Sequence, residues 1–250
     1  MNIDDILKDE VKNHKYPLLF ATISGAHLYG FPSPDSDFDL RGAHILPPNE
    51  VMGLYPQDET IEFLGDRKDI EMDLVTHDIK KFFNLMLKKN GYVLEQLHSP
   101  HIVHTTPEHE ELKEIAKGCI TKFHFHHYSG FFRNQWKMIE KESPPRAKPL
   151  LYAYRVLLTG IHMMQTGEVK ANLVILNEKF KLPFIDELID LKINGHEKST
   201  VSIDLKFHRM ETDKLQAQME EASKKSALPE NHTCKDSLND LLLRIRKFTM

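Results

Sequence analysis

The spacing of apolar positions changes twice in the first half of the chain. Residues 2–13 carry apolar side chains at the three-to-four-residue spacing of an amphipathic helix. The runs "PLLFATISG" and "DFDLRGAHIL" are short, apolar and bounded by turn residues, which predicts two strands. In "DIEMDLVTHD" acids alternate with apolar residues at the period of a third strand. The stretch "DIKKFFNLMLKKNGYVLEQLHSP" then returns to helical spacing, with a break at Asn90-Gly91.

Beyond about residue 118 the pattern is helical almost throughout. "FHFHHYSGFFRNQWKMIEKE" and "LLYAYRVLLTGIHMMQTGEV" predict long helices, separated by the proline-rich "ESPPRAKP". Further helical patterns centre on residues 170–194, 209–226 and 236–248. We therefore predict an α/β (α+β) protein, with a mixed β-sheet core domain over residues 1–118 followed by a mostly helical domain over residues 119–250.

Composition indicates a globular chain of one large or two small domains. The 250 residues are 40% hydrophobic and 28% charged. No apolar run approaches the roughly 18 residues that a membrane span needs, and the acidic N-terminus lacks the apolar core of a signal peptide. Cys119 and Cys234 lie far apart and without metal-ligand spacing, so we expect neither a zinc site nor a disulfide framework. These features predict a cytoplasmic protein that makes no contact with a membrane.

The charge is distributed unevenly between the two halves. Residues 1–120 hold 12 basic and 21 acidic side chains, whereas residues 121–250 hold 21 basic and 16 acidic ones. An acidic half suits a divalent cation and a basic half suits a phosphate-bearing partner. Uneven solubilising charge explains the same counts, so composition leaves both interpretations open.

Acidic side chains concentrate on the second and third predicted strands. Asp37 and Asp39 are two residues apart, which directs both side chains to one face with Cα atoms about 6.5 Å apart. Glu71 and Asp73 likewise share a face of the third strand. If these strands are neighbours, three carboxylates converge on a site that suits Mg²⁺, or two such ions clamping a phosphoryl transfer.

A glycine turn precedes the first acidic strand. Gly25 ends the first predicted strand, and its missing Cβ allows a phosphate to approach the backbone. The following "AHLYG" can begin a helix whose free N–H groups point at that phosphate, and "FPSPDS" then leads into the acidic strand. Each feature by itself is common in loops, but their order along the chain favours a metal-and-nucleotide site.

This segment resembles the signature of the DNA polymerase β-like nucleotidyltransferase superfamily. Together with "DLVTHDIKKFFNLMLKKNGYVLEQLHSP" and "KPLLYAYRVLLTGIHMMQTGEV", it more narrowly resembles the RNA-repair-associated branch. The signature is an apolar strand, Gly-Ser, a short connection and Asp-apolar-Asp; here it reads "ATISGA", ten residues and "DFDL". The resemblance implies that the core domain is a nucleotidyltransferase core. It also implies that Asp37 and Asp39 bind the metal ions and that Asp73, ahead of Glu71, is the third carboxylate.

The same resemblance assigns the residues around the acids. Gly25 corresponds to the phosphate-turn glycine, but Ala26 stands where the family has a triphosphate-binding serine. Ser24 precedes the glycine and is a further nucleotide-binding candidate. Arg41 shares the face of Asp39, where it either binds phosphate or holds the carboxylates in place; Ser36 either contacts the nucleotide or hydrogen-bonds within its loop.

The helical domain supplies a second set of candidates. In related nucleotidyltransferases this part contributes basic groups to the triphosphate, and Lys148, Tyr152 and Arg155 fall on one helical face. The alternatives are a solvated lysine, a surface ion pair and a tyrosine packed between helices. The histidine-rich "FHFHH", and the histidines spaced by three residues from His98 to His104, suggest either a transition-metal site or ordinary polar contacts.

The resemblance implies a metal-dependent nucleotidyltransferase using Mg²⁺, or Mn²⁺, with a nucleoside triphosphate such as ATP as donor and an RNA end as acceptor. Two alternatives stay open. Because Ala26 replaces the serine, the protein could be a noncatalytic nucleotide- or RNA-binding module. It could also be an antitoxin-like nucleotidyltransferase that modifies a protein partner.

Overall fold

The computed structural model describes residues 3–52, 54–55, 57–67, 70–194 and 203–248. Its strands are β1 (Leu18–Ile23), β2 (Phe38–His44), β3 (Thr60–Arg67), β4 (Ile70–Asp78) and β5 (Ile102–His104). The helices are α1 (Ile3–Lys12), α2 (Gly25–Tyr29), α3 (Pro48–Met52), α4 (Ile79–Leu87), α5 (Gly91–Leu97), α6 (Pro107–Ala116), α7 (His124–Ile139), α8 (Ala147–Thr166), α9 (Leu173–Phe180), α10 (Pro183–Asn194), α11 (Leu205–Lys225) and α12 (Lys235–Phe248).

The strands form one mixed sheet in the order β3-β4-β2-β1-β5. Strand β2 pairs parallel with β4, and the β3–β4, β1–β2 and β1–β5 pairs are antiparallel. The predicted fold class is therefore confirmed: an α/β protein with a mixed sheet and many helices. Strands β3 and β5, which form the two edges, were not among the predicted elements.

Different helices pack against the two faces of the sheet. Helix α1 packs Ile6 and Leu7 into a cluster with apolar side chains of β1, β2 and β4. On the other face Phe20 of β1 meets Phe82 of α4 edge to face, with ring centroids 5.3 Å apart. Asn90 caps α5 by accepting a hydrogen bond from the Tyr92 N–H, which explains the predicted break between α4 and α5. Helices thus lie on both faces of the sheet, and Asp39, Arg41 and Asp73 lie on the face of α4 and α5.

The chain divides into two compact units, which are not continuous in sequence. The first comprises the described residues of Met1–Gly25, Asp37–Ile120 and Asn231–Met250, and the second those of Ala26–Ser36 and Thr121–Glu230. The predicted division at residue 118 lies close to the Ile120–Thr121 boundary. It misses the two short segments, Ala26–Ser36 and Asn231–Met250, because a single cut cannot represent a chain that passes between the units four times.

The C-terminal helix α12 is held to the first unit by long-range contacts. Cys234, just before α12, forms a disulfide with Cys119, 115 residues away in sequence, and their Cα atoms are 5.8 Å apart. The expectation of no disulfide is therefore wrong for this structure. Spacing along the chain did not indicate the pair, because only the return of the C-terminal segment brings the two cysteines together.

Helix α8 forms the centre of the second unit. Most of its residues are buried, from Ala147 to Met164, and α7, α9, α10 and α11 pack around it. Its C-terminus is closed by Gly167 in the left-handed conformation, with φ of 75°. Among the residues that the structure describes, no helix is both long enough and apolar enough to cross a membrane.

Candidate active site

At the end of β1, the backbone of Ser24 and Gly25 is in direct contact with Asp39 of β2. The Ser24 N–H donates to the Asp39 carbonyl at 2.8 Å. Gly25 follows with φ of 59°, and a side chain there would overlap the carboxylate of Asp39. Both the conformation and the lack of space require glycine. The turn that the sequence assigned to phosphate therefore lies against the first carboxylate of β2.

Asp39 and Asp73 occupy directly opposed positions on the parallel strands β2 and β4. The Nη2 atom of Arg41 lies 2.6 Å from an oxygen of each carboxylate. Arg41 also donates to the Asp73 and Leu40 carbonyls and to the Tyr92 hydroxyl. The sequence left two roles open for Arg41. These contacts are the ones expected for the second role, in which Arg41 holds the carboxylates in place.

Electrostatics keeps the Arg41 guanidinium charged. Its burial favours the neutral form, but Tyr92, Asp39 and Asp73 favour the cation more strongly, so the pKa of Arg41 is raised above its usual value. The cation is partly buried and bridges two carboxylates that would otherwise repel each other. The site is therefore organised around an Asp–Arg–Asp arrangement.

Asp37 is placed differently from the other two acids. Strand β2 begins at Phe38, so Asp37 precedes the strand on which it was predicted to lie. Within the part of the chain that the structure describes, no three His, Cys, Asp or Glu side chains are grouped closely enough to hold a metal ion. The structure thus places Asp39 directly beside Asp73, and metal binding by Asp37 stays a prediction. Two opposed carboxylates are a donor set that fits Mg²⁺, which takes few protein ligands.

Two hydroxyl-bearing candidates have contrasting surroundings. The Ser24 Oγ atom is fully buried and has no hydrogen-bond partner among the described residues. This unpaired hydroxyl lies next to Gly25, where a phosphate oxygen is a suitable hydrogen-bond partner for it. Ser36, in the second unit, instead accepts from the Ser33 N–H at 3.0 Å and lies 3.1 Å from the ammonium of Lys192. Ser36 thus makes the loop contacts that were its other expected role.

Lys192 of α10 is a residue that the sequence interpretation missed. Its side chain is 2% exposed and its ammonium donates to the hydroxyls of Ser33 and Ser36. A helical lysine on the surface and one in the interior have the same sequence pattern, so no local signal could have found it. It fixes the loop that leads to Asp37.

The helical-unit candidates make packing contacts within that unit. Arg155 is 1% exposed, and its guanidinium lies 4.0 Å from the Tyr29 ring centroid and 5.6 Å from that of Phe131. Tyr152 meets the rings of Tyr29 and Phe31 edge on. Ala26 is buried, and Lys148 is half-buried in the first turn of α8. Nucleotide binding by these four residues remains a prediction.

The histidines are dispersed into separate contacts. His124 is buried and bonds to Thr121, while His126 is exposed. Burial lowers the pKa of His127 to about 4. His104 bonds to the Leu18 carbonyl at the edge of the sheet. Across the described residues these side chains form no metal-binding group, so the histidine-rich segments give no support to a transition-metal site.

The sheet is mixed, its first strand ends in a glycine turn, and its two parallel strands place two aspartates side by side. This arrangement matches the core of a DNA polymerase β-like nucleotidyltransferase. Comparison of the sequence with known families agrees with this class. The chain belongs to the RlaP family, the RNA repair pathway DNA polymerase beta family, which matches residues 1–244.

Two individual proteins are similar to this chain. "Uncharacterized protein MJ0002" of Methanocaldococcus jannaschii is 37% identical over 156 residues, which are 62% of this chain and 63% of that protein. "Uncharacterized protein YcgL" of Bacillus subtilis is 25% identical over 252 residues, covering 96% of this chain and 94% of that protein. The similarity therefore extends over nearly the whole length of one relative and just under two thirds of the other.

Proposed function

We propose that the protein transfers a nucleoside monophosphate from a nucleoside triphosphate to the hydroxyl of an RNA end. The observation that carries this proposal is the direct opposition of Asp39 and Asp73 beside the Gly25 turn. In the reaction the acceptor oxygen forms a bond to the α-phosphorus, the bond from that phosphorus to the bridging oxygen breaks, and pyrophosphate leaves.

The residues of the first unit have separate tasks in this proposal. The Gly25 backbone and the orphan hydroxyl of Ser24 receive phosphate oxygens. Asp73 accepts the proton of the attacking hydroxyl. Asp39 and Asp73, with Asp37 just before β2, would hold Mg²⁺ or Mn²⁺, and the bound ion supplies positive charge against the triphosphate. Arg41 keeps the two opposed carboxylates at their positions.

The test measures transfer of label from each of four α-labelled nucleoside triphosphates to total RNA. Asp39→Asn and Asp73→Asn should lower the rate by about 10²–10⁴-fold, the range for loss of a catalytic proton acceptor or a comparable charge. Glu71→Gln, two residues away on the same face of β4, is the matched control and should retain the rate. Transfer by Asp73→Asn at the wild-type rate would contradict the assignment.

The buried Ala26 favours a second candidate, a module that binds nucleotide or RNA without turnover. An apolar side chain at this position removes the hydroxyl that the family places near the triphosphate. This candidate predicts that nucleotide raises the melting temperature while no pyrophosphate is released. The labelling experiment separates the two, because it scores the product and not binding.

A further inference from the structure

An exposed leucine lies in line with the two opposed aspartates. Leu64 of the edge strand β3 pairs directly with Asp73 of β4, which pairs directly with Asp39 of β2. Directly paired residues point to the same face of a sheet, with Cβ atoms about 4.5–5.5 Å apart. The Leu64 side chain is nevertheless 74% exposed. The face that carries the carboxylates thus ends in an uncovered apolar group.

The strand order gives this row a direction. Gly25 follows β1, which lies next to β2, so the phosphate turn is at the Asp39 end of the row. Strand β3 is at the opposite end, next to Asp73. Neighbouring strands are about 4.8 Å apart, so Leu64 lies about 10 Å across the sheet from β2. A donor with its phosphates at Gly25 leaves the β3 side of Asp73 for the acceptor.

The charges along β3 select which part of an acceptor fits there. Glu62 and Asp66 flank Leu64 on the same face, and both are exposed. Arg67 points to the other face, where it stacks on Phe63 and pairs with Glu10. Carboxylates repel phosphate, so this edge suits an uncharged apolar surface, such as the base and sugar of a nucleoside.

We propose that Leu64 contacts the terminal nucleoside of the RNA acceptor and so positions its hydroxyl at Asp73. This inference rests on the proposed nucleotidyl transfer and adds the residue that binds the acceptor. Leu64 is a positioning residue, because it takes no part in bond making. Its contact affects the acceptor and leaves the donor nucleotide unaffected.

Steady-state kinetics tests the separation of donor from acceptor. Leu64→Ala should raise the KM for the RNA acceptor about tenfold, as expected when an apolar contact of this size is lost. The nucleotide-induced rise in melting temperature should equal that of the wild type. Leu243→Ala is the matched control, because Leu243 is 52% exposed on α12 of the same unit. An unchanged acceptor KM in Leu64→Ala would overturn the inference.

Photo-crosslinking gives a second readout that does not require turnover. A photoreactive amino acid replaces Leu64 in one variant and Leu243 in another, and each is irradiated with total cellular RNA. Crosslinks from position 64 to terminal nucleotides, absent from position 243, support the inference. Crosslinks to protein, or none, overturn it. Failure of the wild type to transfer label, with crosslinking at position 64 intact, would reject the proposed reaction and leave the acceptor contact standing.

Discussion

The guanidinium of Arg41 lies between the carboxylates of Asp39 and Asp73, where a metal cation would otherwise neutralise their charge. Replacing it by glutamine leaves Asp39 and Asp73 opposed without their shared partner. Removing one member of a largely buried ion pair costs about 3 kcal/mol in the free energy of unfolding. We expect Arg41→Gln to lose about this much in the absence of divalent cations. Urea denaturation followed by circular dichroism measures the loss.

The same variant should gain more from Mg²⁺ than the wild type does. A divalent cation relieves the repulsion between the two carboxylates that Arg41 no longer bridges. Arg67→Gln is the control, because Arg67 pairs with Glu10 at a more exposed position and should contribute no more than about 1 kcal/mol. If Mg²⁺ raises the melting temperatures of Arg41→Gln and wild type equally, Arg41 and the ion do not share the carboxylate pair.

At the scale of elements, α12 is attached to the sheet by a buried ion pair. Arg246 donates to both oxygens of Asp78 at 2.7 Å and also to the Leu46 carbonyl. Asp78 is fully buried at the end of β4, and its carboxylate also accepts from the backbone N–H groups of Leu46 and Lys80. One carboxylate therefore joins β4, the start of α4 and the C-terminal helix.

Truncation of Arg246 tests the attachment of α12. Arg246→Ala should lower the free energy of unfolding by about 3 kcal/mol, because it leaves the buried Asp78 carboxylate without its cation. Arg244→Ala is the matched control two residues away in sequence: Arg244 pairs with Glu111 and Asp240 at the surface, and its loss should cost about 1 kcal/mol or less. Equal losses in the two variants, measured by urea denaturation, would contradict the structural role of Asp78.

At the scale of the whole molecule, burial lowers the pKa of several histidines, and these lie in both units. Burial lowers the pKa of His44 to about 4, although nearby Asp78 acts in the opposite direction. Burial likewise lowers the pKa to about 4 for His77, His98, His109 and His127. The unfolded chain binds these protons near pH 6.5 and the folded chain does not. Their contribution to stability is therefore complete above pH 6.5 and is lost as pH falls towards 4.

The pH dependence of unfolding tests this expectation. The free energy of unfolding should fall between pH 6.5 and 4, with His44 contributing up to about 1.4 kcal/mol per pH unit. His44→Gln should make the slope shallower, since the variant has no proton to take up on unfolding at this position. His101→Gln, at an exposed position of the same unit, is the control substitution. Parallel slopes for His44→Gln and wild type would show that His44 is not a source of the acid sensitivity.

The sequence by itself determined the local features of the site. A short apolar run bounded by turn residues located β2 and Asp39, and alternation of acidic and apolar residues located β4 and Asp73. The apolar run that ends at Gly25 located β1 and the turn. These predictions succeeded because strand periodicity and the conformational freedom of glycine act over a few residues. The family signature lies in the same short stretch, so the class of protein was also accessible.

The tertiary structure alone decided how these local features combine. The parallel pairing of β2 with β4 put Asp39 opposite Asp73 and Arg41 between them. The return of the C-terminal segment paired Cys119 with Cys234, and the packing around α8 buried Arg155. Each outcome depends on groups that are far apart in the chain but close in space, and the spacing of residue types along the sequence does not indicate which groups meet. Leu64 was missed for the same reason, because only the pairing of β3 with β4 places it beside Asp73.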